Sequence, residues 1–70
     1  MSKFEAEIVV AYARHNMNLT KVGEEMHYHR NTLVYHFKRI RKNTGLNPHN
    51  FFDLGELYTM AVDILEGANE

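Results

Sequence analysis

From Met26 to Phe52 the chain carries no Asp or Glu, yet Arg30, Lys38, Arg39, Arg41 and Lys42 all fall there. Within that stretch Leu33, Phe37, Ile40 and Thr44 recur at the i, i+4, i+7, i+11 spacing of one helix face. A helix over these residues therefore buries one stripe and turns the rest outward. It is anchored on one side and cationic on the other, which is what a segment entering a nucleic-acid groove needs.

The formal net charge of −1 conceals this. Outside the stretch three Lys/Arg stand against nine Asp/Glu; inside it five Lys/Arg stand alone. The division matters more than the total, because screening confines charge interactions to a Debye length of about 8 Å. The acid-rich flanks are expected to face away from a polyanionic partner.

At 70 residues the chain is one small domain whose core is only marginally sufficient. No ligand-sized cavity, small-molecule ligand or cofactor is expected in it. With no Cys there are no disulfide staples or thiolate metal sites, which fits a reducing cytosol. The apolar run near Ile8 is far too short to span a membrane, and no signal-peptide core is seen. Localisation in the cytoplasm, at the nucleoid, is the expectation.

Periodicity predicts an all-α fold of four helices. Residues 3–15 place Phe4, Ile8, Ala11 and Tyr12 on one face, with Ser2 and Glu5 at capping-box positions. Asn16-Met17-Asn18 then favours a turn around a core-plugging Met. Residues 19–26 form a short helix capped by Asn18, and Gly23 inside it, costing about 1 kcal/mol relative to Ala, signals a close backbone approach. His27-Tyr28 is long enough only for a turn, with Tyr28 expected between the second and third helices. His29 stands at the cap of helix 30–44, which ends at Gly45. Pro48 bars continuation, Phe51 and Phe52 are expected to seal the core, and the last helix is predicted over 53–66 with Asp53 and Glu56 at its start.

A short helix, a tight turn and a longer exposed helix have the spacing of a Fis-like helix-turn-helix. The residues add more. His29-Arg30-Asn31-Thr32-Leu33, Tyr35, Arg39-Ile40 and Thr44-Gly45-Leu46, with His27 upstream, follow the pattern HxHRNTLxYRLxRIxxxTGL. This resembles the C-terminal helix-turn-helix domain of PucR-type and CdaR-like (sugar diacid regulator) bacterial transcription factors, over roughly residues 8–65. Gly23 replaces a usual small Ala, His36 replaces the usual Arg, and the linker 47–52 departs from the commonest form. The resemblance implies a DNA-binding output module, here the C-terminal piece of a longer metabolite-sensing regulator, with a free-standing helix-turn-helix protein as the alternative; bacterial helix-turn-helix proteins generally act as dimers on palindromic sites, so a homodimer on double-stranded DNA is expected.

Site residues follow from position. Arg30, Asn31 and Thr32 occupy the first turn of the recognition helix, where Arg pairs with guanine and Asn with adenine; Asn31 and Thr32 alternatively serve as caps. Tyr35 and His36 lie one turn later and complete the expected base-contacting set. Tyr35 alternatively sits half-buried beside the core. Lys38, Arg39 and Lys42 suit phosphates, as do Thr20 and Lys21 at the start of the second helix and His29 at the turn. Arg41 is left to solvent.

His27, His29 and His36 raise a zinc site, but their spacing straddles a turn and no carboxylate in the stretch supplies a fourth ligand, so no metal is expected. No nucleophile constellation or phosphate-cradling glycine loop points to an enzyme. The rival reading is a helical protein-interaction or dimerisation module, based on the apolar last helix with Phe51, Phe52, Met60 and Val62.

Overall fold

The structure, a computed structural model, describes residues 1–67. These form four helices and no strand: α1 (Lys3–Arg14), α2 (Leu19–Met26), α3 (Arg30–Thr44) and α4 (Phe51–Gly67). No helix among them is long and apolar enough to cross a membrane.

Helix α1 opens on the expected capping box. The Ser2 hydroxyl accepts the Glu5 N–H at 3.1 Å, and the Glu5 carboxylate accepts the Ser2 N–H at 3.1 Å. The helix stops at Arg14, one residue before the predicted end, because His15 leaves helical dihedrals and Asn16 and Met17 are left-handed, with φ of 56° and 62°. That double turn returns Met17 to the core edge, where its N–H donates to the Tyr12 carbonyl at 2.8 Å.

Asn18 caps α2, its side-chain oxygen accepting the Lys21 N–H at 3.2 Å. A Cβ at Gly23 would lie 3.0 Å from the Tyr28 carbonyl oxygen, which is the close backbone approach read from the sequence. The turn folds back tightly: His27 is left-handed at φ 59°, and the Tyr28 N–H donates to the Gly23 carbonyl at 3.1 Å. With the Tyr28 backbone filling that gap, its ring does not slot between α2 and α3. It lies edge-on to Phe4 of α1, centroids 4.9 Å apart, and remains 43% exposed.

The last helix departs most from expectation. Asn50, not Asp53, caps it, its side-chain oxygen accepting the N–H groups of Phe52 and Asp53 at 3.0 Å each. The Asp53 carboxylate instead reaches back to the Asn47 N–H at 3.0 Å, closing the linker around a buried Pro48. The helix therefore starts at Phe51, and Phe51 and Phe52 stand 72% and 80% exposed rather than sealing the core.

Helix α1 packs most extensively on α4, while α2 leans on α3. Ile8, Val9 and Tyr12 of α1 meet Leu54, Leu57 and Ala61 of α4, and Leu33, Phe37 and Ile40 of α3 close the same core with Val22 of α2. Removing each such side chain from water contributes roughly 1.5–3 kcal/mol, and α1 and α2 hold α3 from behind.

Candidate nucleic-acid interface

Three stripes of helix α3 differ in environment, and Arg30, Val34 and Arg41 run along a fourth line between the core and the outward side. The stripe Leu33, Phe37 and Ile40 is buried. Asn31, Tyr35, Lys38 and Lys42 repeat the same i, i+4, i+7, i+11 spacing two residues out of step, which is roughly the opposite face at 100° per residue; all four are exposed. Thr32, His36 and Arg39 form a third stripe, which turns toward α1. Sequence position alone had grouped the last two sets together.

The start of the outward face is held by the turn. His29 caps α3 with its own ring, Nδ1 accepting the Asn31 N–H at 3.0 Å. Its Nε2 remains available to donate. Capping by His29 leaves the Asn31 carboxamide uncommitted, while Thr32 is half-buried. Arg30 shares a shallow cleft of about 410 Å³ with Leu19, Thr20, Gly23, Glu24 and Tyr28, so the first turns of α2 and α3 lie side by side. Arg30, Lys38, Arg41 and Lys42 are exposed and form no ion pair among the described residues. Lys21 meets Glu24 at 3.7 Å, with both side chains over 60% exposed, an arrangement worth little in water.

The third stripe is a different environment. His36, expected on the DNA side, is turned inward: its Nδ1 lies 2.9 Å from Glu5 Oε2 and its ring packs edge-on against Phe4 at 4.9 Å. Arg39 Nε lies 3.2 Å from the same oxygen. Glu5 is only 1% exposed, and a buried carboxylate persists only where its oxygens are hydrogen-bonded and its charge is matched. Both conditions hold, since Oε1 takes the Ser2 N–H and Oε2 takes His36 and Arg39. Burial pushes the Glu5 carboxyl up, but the His36 and Ser2 hydrogen bonds and the Arg39 charge outweigh it and hold the group below its ordinary value. The Tyr35 hydroxyl and the Glu5 carboxylate both favour the charged Arg39 guanidinium, raising it further. Arg39 is thus a paired cation, unlike its neighbours on the outward face.

In the sequence Glu5 stands out only as a capping residue and a first-turn charge that suits the helix dipole. A signal was present: Glu5, Ile8, Val9 and Tyr12 fall at i, i+3, i+4 and i+7, which places the carboxylate at the head of the buried stripe of α1. His49 was also missed. Its Nδ1 lies 3.1 Å from the Tyr12 hydroxyl and its ring packs edge-on against Phe37 at 5.3 Å, bracing the back of α3. Burial pushes the Tyr12 phenol up, opposed by a smaller pull from Arg30. At the other end of α1, His15 Nε2 meets Glu25 Oε2 and ties α1 to α2. No group of three His, Cys, Asp or Glu among the described residues is placed to hold a metal ion.

The model of the PucR C-terminal helix-turn-helix domain matches residues 6–61. The chain belongs to that family. The match runs from within α1 through most of α4, so His36 and Arg39 fall inside the matched range of this PucR-type domain and Glu5 lies one residue outside it. No curated protein and no solved structure matches the chain.

Proposed function

We propose that this PucR-type domain binds double-stranded DNA sequence-specifically, with α3 in the major groove and α2 braced on the backbone, as the output module of a longer metabolite-responsive bacterial regulator. The observation that carries the reading is the exposed surface of α3: free of carboxylates, with Asn31 at the head of its outward stripe and Arg30 in the same first turn, beside the start of α2. Arg30, Asn31, Thr32 and Tyr35 are the base-contacting set, Thr32 at its edge. Thr20, Lys21, His29, Lys38 and Lys42 hold phosphates. His36 is not among them, being committed to Glu5. The protein would work in the cytoplasm, on the nucleoid.

Titration with duplex DNA at several salt concentrations tests this. Four cations, Arg30, Lys21, Lys38 and Lys42, give a slope of log K against log salt of about −3 to −4 per domain. A flat response, or no binding at low salt, refutes it.

A second reading has its own support. Phe51 and Phe52 rim an open groove of about 630 Å³ that also includes Ala13, Met17, Gly55 and Tyr58. Exposed aromatics of this kind suit a protein contact, and a homodimer joined there would set two recognition helices on a palindromic site. Sedimentation of the Phe51→Ser, Phe52→Ser double variant against the unaltered domain tests it: equal mass at all concentrations excludes this joint.

A further inference from the structure

We infer that Glu5 is a specificity-setting positioning residue, which withholds Arg39 from the DNA backbone by neutralising it at the root of the recognition helix. The inference rests on the DNA-binding reading above and extends it to a residue on α1.

Arg39 lies on the recognition helix and, by charge alone, belongs with Lys38 and Lys42. Its side chain is 50% exposed, so a phosphate could reach it. Its Nε, however, is 3.2 Å from a carboxylate oxygen whose own residue is 1% exposed. That separation is far below the Debye length of about 8 Å, so a phosphate meets the pair as nearly neutral. Glu5 cannot swing away to release Arg39. Its Oε1 is tied to the Ser2 N–H at 3.1 Å and its Oε2 is shared with His36 at 2.9 Å. Nor can Arg39 easily be recruited, since leaving would strip a buried carboxylate of its fixed positive charge.

Phosphate contacts add affinity for every sequence alike, whereas base contacts discriminate. A cation silenced on the recognition helix lowers non-specific binding without touching Arg30 or Asn31. Among the described residues, Glu5 is the carboxylate paired with a Lys or Arg of α3. The groups that face the Glu5 carboxylate are His36 and Arg39 from α3 and the Ser2 backbone from its own cap.

The test is a set of salt titrations on a random-sequence duplex with the unaltered domain, Glu5→Gln, Arg39→Ala and the double variant. Gln keeps the oxygen that accepts the Ser2 N–H, so the fold should survive, which a thermal melt checks. Glu5→Gln should steepen the slope by about 0.9, so that a fourfold rise in salt weakens it about 3.5-fold more than the unaltered domain. Arg39→Ala alone should leave the slope unchanged, and the double variant should return to it. An unchanged slope in Glu5→Gln overturns the inference. So does a loss of about 0.9 in Arg39→Ala, a result that holds even if Glu5→Gln fails to fold. Absence of DNA binding by the unaltered domain instead overturns the reading beneath it.

Discussion

The two faces of α3 that leave the core treat their polar side chains in opposite ways. Asn31, Lys38 and Lys42 stand in solvent, and no ion pair among the described residues holds them, while the exposed Tyr35 between them lends its hydroxyl to Arg39. Around the helix, His36 and Arg39 are drawn onto one buried carboxylate. The difference separates presentation from mounting. Side chains that must match a groove need freedom at their tips, and the helix beneath them needs a fixed rotation about its axis. Burial of Leu33, Phe37 and Ile40 sets the depth of that helix, whereas a hydrogen-bonded carboxylate at its flank adds direction, which apolar contact lacks.

Breaking the mount should have the largest effect. Phe37 is 2% exposed, with its ring edge-on to Tyr12 at 4.8 Å. Phe37→Ala should cost about 3–5 kcal/mol, read as a fall in the denaturation midpoint together with loss of DNA binding. Breaking presentation should look different. Arg30→Ala with Asn31→Ala removes about 1–3 kcal/mol of base discrimination for each contact. Stability should stay within about 0.5 kcal/mol, as both residues are exposed. Competition between operator and random duplex measures the first, and a melt the second. If discrimination survives the double substitution, the first turn of α3 does not read the bases.

The mount and the presented face were not equally legible in the sequence. Helix spacing located α2 and α3 to the residue, because Asn18, His29 and Gly45 are terminators that act locally. Gly23 even reported the backbone that crosses it. What failed depended on contacts distant in the chain. His36 and Glu5 are 31 residues apart, and nothing local says that a basic-helix His will turn toward another helix. The start of α4 failed for a different reason: Asn50 and Asp53 are both competent caps, and the choice was made by Asp53 bonding back to Asn47. Starting the helix at Asn50 left Phe51 and Phe52 outside the core.

Acid should loosen the mount before it reaches the presented face. The Glu5 carboxyl is held below its ordinary value of 4.5. A lowered group contributes stability that is present above the unfolded value and is lost as pH falls through the folded one. Denaturation midpoints of the unaltered domain and Glu5→Gln should therefore differ at pH 7, by the lower end of about 1.5–3 kcal/mol for charge-assisted hydrogen bonds. They should converge as pH drops below 4.5. A constant gap down to pH 3 would mean that the Glu5 charge contributes nothing to holding α3.

The smallest effect sharpens the assignment of faces within the last turn of α3. Lys42 shares the outward stripe with Lys38 and Tyr35, whereas Arg41, one residue earlier, lies about 100° around the helix. Both are exposed, and both complement the helix C-terminus, so each replacement by Ala costs a comparable few tenths of a kcal/mol in stability. Only Lys42 shares a face with the phosphate-holding set. Lys42→Ala should reduce the steepness of the salt slope by about 0.9 and weaken operator and random duplex equally. Arg41→Ala should leave the slope where it was. The two substitutions remove the same charge one residue apart, so a difference between them reports which side of α3 meets the backbone. Equal losses would show the helix lying flatter on the DNA, with both sides of its last turn engaged.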